Sequence, residues 1–317
     1  MVKPWTEWVV STRVKVSHRS YGLLTTIAEN WQSGRVLCIG DATHRHPPIN
    51  GLGSNTCISD AFNLAWKLAY VIKGWSSSSL LDTLTIERKL VGDAIVRRAN
   101  DGMEAHRRLW KIIGLDHNSR KTFSGLLGAD SKEGAEMRDR YREALEATEL
   151  EIQALIIHVN QIYLDSKAIV VEIGDEAPNS PNLEPLRDVK VSTYPGYHLP
   201  HVWLVTNGRS RRVSNLVLCG QGRFALLTGI GGDGWIRAIE SILGPDGASA
   251  RAYKIAYCDY IECYREEYPV RGMDENGAIL VRPDHFVAWR CQNLVKNRVR
   301  KLSSVFDQIL GQQERCS

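Results

Sequence analysis

The sequence predicts an α/β protein built as two layered regions joined by a helical connector. Three observations carry this reading. A short apolar run, Arg35 to Gly40, is followed by a turn-rich loop and one long helical pattern. Two further helical stretches, roughly Leu81 to Arg107 and Lys132 to Leu155, come next. Beyond residue 200, strand-like runs alternate with helical ones, the pattern of a small α/β layer. At 317 residues the length fits about two domains.

The elements follow in chain order. From Val9 to Val16 apolar and polar residues alternate, as in a half-buried strand, and Tyr21 to Asn30 reads as a short helix. Arg35-Val-Leu-Cys-Ile-Gly40 has the form of a buried strand, and the loop Asp41 to Ser54 is rich in Pro and Gly. A helix is expected from Asn55 to Gly74, with Ser54 or Asn55 as its cap. Ile58, Ala61, Phe62, Ala65, Leu68, Ala69 and Ile72 recur on it at helical spacing. The proline-rich segment Asp175 to Pro185 reads as a loop near the entrance to a last domain. That domain is read as strands Asn215–Leu218, Arg223–Thr228 and Tyr253–Tyr257, with a helix Trp235–Leu243 among them. A hairpin-like pair, Ala278–Arg282 and Phe286–Arg290, and a final helix Leu294–Leu310 complete it.

Composition narrows the function classes. A formal net charge of +4 from 40 basic and 36 acidic residues makes no case for a nucleic-acid partner. Basic groups such as Arg209 to Arg212 and Lys296 to Lys301 read as solvated faces. No apolar run is long enough for a signal peptide or a membrane span, so the reading is a cytoplasmic protein with no membrane partner. The seven cysteines include no C-x-x-C pair, and Cys258 and Cys263 lack redox-couple spacing. His44 and His46 form a His-x-His pair without further ligands nearby, so no metal is expected.

The segment that carries chemistry runs from Gly34 to Lys67. A strand ending in Gly40-Asp41 sets a carboxylate at the C-terminal edge of a sheet, where ligands bind in open α/β folds. Gly51-Leu52-Gly53-Ser54-Asn55 then brings bare backbone to the start of a long helix. Free N–H groups and the positive dipole end favour an anionic or electron-rich ligand there.

In its order and spacing this segment resembles the second flavin motif of the class A FAD-dependent aromatic monooxygenases, the phenol hydroxylase and chlorophenol monooxygenase group. The resemblance implies that Gly40 and Asp41 meet the ribityl chain and phosphate of FAD. Pro47, Pro48, Gly51, Leu52, Gly53, Ser54 and Asn55 would then lie along the flavin ring, with His44 and His46 in the same loop. Asp60-Ala-Phe-Asn-Leu-Ala-Trp-Lys67, Leu81-Asp-Thr83 and Glu87-Arg88 are similar to family segments, with Leu84 and Leu90 where Tyr and Pro are usual. Pro200-His-Val-Trp-Leu204 and Arg282-Pro-Asp-His-Phe-Val-Ala-Trp-Arg290 resemble the family's thioredoxin-like C-terminal domain.

The resemblance therefore implies a Rossmann-like FAD-binding monooxygenase domain, of which residues 1–105 are the C-terminal part. A helical connector, 106–165, and a thioredoxin-like α/β domain, 166–317, follow. It also implies NAD(P)H as co-substrate, O2, and a phenolic or aromatic polyketide-like substrate in secondary metabolism. The family opens with a strand, Gly-x-Gly-x-x-Gly and a helix, and this chain shows no such segment; Gly229 to Gly234 has the wrong glycine spacing. The expectation is that a longer reading frame supplies it, and that the chain alone holds FAD weakly. The implied partners are a small aromatic substrate and either a second copy of the chain or a complementing N-terminal chain. No residue here stands out as the catalytic acid or base. The alternative reading is a truncated, non-catalytic relative acting as a structural or subunit partner.

Overall fold

The computed structural model describes residues 25–49, 51–153, 157, 159, 161–178, 188–206, 212–242, 248–255, 259–263 and 271–312. The strand expected from Val9 to Val16 lies outside the described residues.

The first described elements are short. β1 (Thr26–Ile27) pairs antiparallel with β4 (His44–Arg45), and β2 (Gln32–Ser33) with β3 (Val36–Leu37) around Gly34, whose φ is +56°. Two expectations change here. The end of the helix expected over Tyr21 to Asn30 is instead β1, where Thr25, Thr26 and Ile27 favour extended backbone. The buried strand expected over Arg35 to Gly40 is a two-residue arm whose partner is Gln32–Ser33, and Val36 is exposed.

Helix α1 (Leu52–Ile72) is longer than expected and begins at Gly51, which holds a left-handed conformation (φ +60°) with no side-chain cap. Ser54 and Asn55 therefore do not cap it; they stand inside the first turn, where the Asn55 Nδ2 donates to Gly51 O at 2.9 Å. The orientation of α1 also differs from the apolar stripe read in the sequence. Ile58 and Ile72 are 68% and 81% exposed, whereas Asp60, Asn63 and Lys67 are buried. Burial of three such side chains is tolerable only where each is paired, and the pairs described below explain the choice.

Helix α2 (Thr83–Ile113) packs on α1. Helices α3 (His117–Leu127), which no sequence signal marked, and α4 (Lys132–Gln153) complete the connector, with Phe123 against Tyr141 at 5.1 Å between ring centroids. Asp116 caps α3 by accepting from Ser119 N.

The C-terminal region is built on a four-stranded mixed sheet in the order β11-β10-β7-β8. Its strands are β7 (Phe224–Thr228), β8 (Ala250–Lys254), β10 (Ala278–Val281) and β11 (Val287–Cys291). β7 and β8 are parallel, with helix α6 (Asp233–Ile242) between them in the chain; β10 pairs antiparallel with both β7 and β11. β7, β10 and β11 are buried along their whole length because both sheet faces are covered, which explains their mostly apolar residues; Arg290 of β11 is paired with Asp175. One face packs on α6 and on α7 (Arg298–Leu310) through Trp235, Trp289 and Phe306. The other meets a smaller sheet of β6 (Arg212–Ser214), β5 (Trp203–Thr206) and β9 (Tyr260–Glu262) through Leu204 and Leu227.

The strand expected over Asn215–Leu218 is instead a single helical turn, α5. The Ser214 hydroxyl accepts from Leu216 N, a local bond, while the Asn215 side chain bridges Pro200 O and Val202 N across the chain, and together they displace extended pairing. The two regions share one core. Trp66 and Tyr70 of α1 enter the hydrophobic cluster beneath the four-stranded sheet, and the Tyr70 hydroxyl donates to Gly222 O (3.1 Å) and Ser249 O (3.3 Å).

Candidate functional site

The predicted residues come together at the start of α1. Gly40 opens a single 3-10 turn with φ +62°, a conformation that costs a side chain free energy. A Cβ there would lie 2.9 Å from the Cys57 sulfur, so this turn sits directly on the second turn of α1. Asp41, next in the chain, is exposed, and its carboxylate is touched only by the Cys57 thiol at 3.8 Å among the described residues. Burial and the Asp41 charge raise the Cys57 pKa, so the thiol is kept protonated and poorly nucleophilic.

Pro47 is buried and Pro48 exposed, and His46 Nδ1 bonds Pro47 O at 2.8 Å, closing the loop toward Gly51. No atom stands within 4 Å of a Cβ built on Gly51, and only the His46 ring, at 3.8 Å, near one built on Gly53. Leu52 is buried and anchors the first turn, while Ser54 and Asn55 face outward. The geometry thus presents an exposed carboxylate, a proline shoulder and an uncapped helix end with bare backbone on one surface. Such a surface accepts hydroxyl groups at the carboxylate and an anionic or electron-rich group at the helix end.

Behind that surface lies a buried network that sequence reasoning did not assign. One Asp60 oxygen accepts from Gly40 N (3.0 Å) and pairs with His44 Nε2 (2.9 Å); the other accepts from Arg88 Nε (2.7 Å). Burial pushes the Asp60 pKa up, but the His44 hydrogen bond and the Arg88 charge outweigh it and leave the carboxyl below its ordinary range. Asp60 therefore ties the Gly40 turn, β4 and α2 to one point on α1.

A second network lies one turn further along. Glu87 receives Lys67 Nζ (2.7 Å), Asn63 Nδ2 (2.7 Å), both terminal nitrogens of Arg282 (2.7 and 2.8 Å) and the Ser166 hydroxyl. Arg282 also grips Asp284 and lies over the rings of Trp66, Tyr163 and Phe286. Burial lowers the Lys67 pKa to about 8 despite the Glu87 charge beside it. Two cations and two carboxylates balance here, which is what makes their burial tolerable. The helical spacing of Asp60, Asn63 and Lys67 was the available signal, because it marks one face of α1 opposite the apolar residues. Among the described residues no group of three His, Cys, Asp or Glu side chains is placed to hold a metal, and no helix is long and apolar enough to cross a membrane.

Comparison with known proteins gives the family of both regions. Residues 9–99 match the model of an FAD binding domain, and residues 192–313 that of the C-terminal domain of aromatic-ring hydroxylases. The 2,4-dichlorophenol 6-monooxygenase of Cupriavidus pinatubonensis is 41% identical over 92% of this chain and 49% of its own. Phenol 2-monooxygenase of a Pseudomonas species is 32% identical over 98% of this chain and 56% of its own. Among solved structures, the flavin-dependent monooxygenase PieE with FAD and substrate superposes with a TM-score of 0.83 at 33% identity, covering 91% of this chain and 50% of that one. The fold and these matches thus define part of a flavoprotein. The chain belongs to the class A FAD-dependent aromatic monooxygenase family, and it spans about half the length of the curated relatives it matches.

Proposed function

We propose that this chain is the C-terminal half of an FAD-dependent monooxygenase that hydroxylates a phenolic or aromatic polyketide-like ring with NAD(P)H and O2. The observation that carries the reading is the surface at the head of α1: a free Asp41 carboxylate beside the uncapped, glycine-flanked helix end. These residues fit the ribityl and ring portions of FAD, since Gly51 and Gly53 leave a cradle that side chains would fill. When bound, FAD supplies the redox chemistry of ring hydroxylation.

The chain's own residues bind and orient. Asp41, with Gly40, would meet the ribityl hydroxyls and phosphate, and the first-turn N–H groups of Leu52 to Asn55 would lie along the flavin ring. Pro47 and Pro48 form a rigid wall, and Asp60 holds the Gly40 turn in place. The substrate class is supported by the dichlorophenol and phenol monooxygenases and by relatives named for polyketide hydroxylation, which also support a place in secondary metabolism. The order of the four-stranded sheet supports a thioredoxin-like reading of the C-terminal layer. Its role there is structural. Burial pushes the Cys219 thiol up to about 12, and the Cys291 thiol is raised as well, so neither is poised for exchange.

The test is a fluorescence titration of FAD with the purified chain. The expected result is weak, saturable quenching that Asp41→Ala and Gly53→Val each weaken by about tenfold, the loss of one good polar contact. Quenching indifferent to both substitutions would contradict the site, and a tight stoichiometric complex would overturn the reading of a half-site.

A further inference from the structure

Helix α1 turns its polar side chains inward and its apolar ones outward. Ile58, Ala61, Phe62, Ala65 and Ile72 are exposed, and Leu68 and Ala69 are half-buried beside them. From Ile58 to Ile72 this face spans about 21 Å, roughly four turns. It carries no charged side chain, whereas the outward faces of α2 and α4 bear ion pairs such as Arg107–Glu104 and Arg142–Asp139. A continuous apolar face of this length marks a contact surface. We propose that it pairs antiparallel with the same face of a second copy of the chain, with Ala65 on the two-fold axis. The inference does not rest on the flavin reading.

The symmetry of the residues selects the partner. Ile58 and Ile72 lie equally far from Ala65, as do Ala61 and Ala69, and Phe62 and Leu68. Reversing the helix therefore sets isoleucine level with isoleucine, alanine with alanine and phenylalanine with leucine. A two-fold interface requires this self-complementarity, because one patch serves both copies. The alanines at the centre let the two axes approach to about 8 Å, the close end of helix packing.

Charge fixes the direction. Exposed Asp41 stands beside Cys57 at the N-terminal end of the face, and exposed Lys73 follows its C-terminal end. Antiparallel pairing brings opposite charges to each end and opposes the two helix dipoles, whereas parallel pairing sets like beside like. Asp60 and Lys67 are paired inside the chain and take no part. One helix face is smaller than the about 800 Å² that each partner gives a standard interface. A dimer of modest affinity is therefore expected, with Kd about 10 μM.

The experiment is sedimentation velocity on the full 317-residue chain, without FAD. Monomer is expected to convert to dimer between about 1 and about 100 μM. Ala65→Glu sets two carboxylates against each other at the axis and is expected to weaken association at least about tenfold. Melts at about 1 μM, where the chain is monomeric, confirm that the variant folds.

Oxidative cross-linking reads the direction, with the unsubstituted chain and its own cysteines as control. Ala65→Cys is expected to link to itself, since residues on the axis come within disulfide reach. Ile58→Cys is expected to link with Ile72→Cys in a mixture but not with itself, because its two copies stand about 21 Å apart. A chain that stays monomeric at the highest concentration, a dimer indifferent to Ala65→Glu, or Ile58→Cys linking to itself would overturn the proposal. Should Ala65→Glu fail to fold, the cysteine variants carry the test. FAD titration reads the flavin surface separately, so either result stands without the other.

Discussion

The two halves of helix α1 obey opposite rules. Its first turn is open: Gly51 supplies no cap, Gly53 no side chain, and Ser54 and Asn55 face outward. Its middle is closed: Asp60, Asn63 and Lys67 are buried and every one is paired. The contrast shows how one helix holds both the surface proposed for the flavin and the joint between two layers. Buried ion pairs add little net stability compared with apolar packing, but they fix one geometry, because any shift strands a charge. That geometry fixes the Gly40 turn through Asp60 and, through Lys67, Glu87 and Arg282, the C-terminal hairpin.

Breaking the closed half is expected to have the largest effect. Glu87→Gln strands the Lys67 cation, leaves Arg282 with Asp284 alone, and is expected to cost about 4 kcal/mol in denaturant-melt stability. Asp60→Asn removes the partner of Arg88 and His44 and is expected to cost about 3 kcal/mol, with FAD affinity falling as the Gly40 turn loosens. Gly40→Ala acts at the boundary between the halves. The left-handed backbone and the contact with the Cys57 sulfur together are expected to cost about 2 kcal/mol, read in the same melts. Ile58→Ser, on the outward stripe, is expected to change stability by no more than about 0.5 kcal/mol.

Acidity sharpens the same comparison. The Asp60 and Glu87 carboxyls stay below their ordinary values of 3.8 and 4.5: burial raises each, but the His44 hydrogen bond and Arg88 charge at Asp60, and the Arg282 and Lys67 charges at Glu87, lower each by more. The unfolded chain therefore binds more protons than the folded one as pH falls below those values. Their contribution is present above about pH 4.5 and is lost as pH falls through the folded values. Melting temperatures measured from pH 6 to pH 3 are expected to fall toward acid, and to fall less steeply in the Glu87→Gln variant.

What was legible in the sequence follows the same division. The backbone of the open half was readable, because Gly40-Asp41, the proline pair and Gly51-Leu-Gly53 are local turn signals, although the cap expected at Ser54 or Asn55 falls instead on Gly51. The sheet strands β7, β10 and β11 were readable, β7 as a strand and β10 with β11 as a hairpin-like pair. The closed half was not. Glu87 and Arg282 stand 195 positions apart, and nothing local to either marks it as buried. The apolar stripe of α1 misled for the same reason: periodicity finds a face, and partners elsewhere in the chain decide which face is buried. Asn215 misled through side-chain bonds that a strand-like composition does not reveal.

Hydrogen exchange with and without FAD tests the central claim most directly, because it reads both halves of α1 in one sample. Without FAD, amides of Leu52 to Asn55 are expected to exchange fast and those of Leu64 to Tyr70 slowly, as expected of an uncapped turn and a packed core. Saturating FAD is expected to slow exchange at Gly40, Asp41 and Leu52 to Asn55 and to leave Leu64 to Tyr70 unchanged. Protection confined to the C-terminal layer, or no protection at the head of α1, would contradict the account.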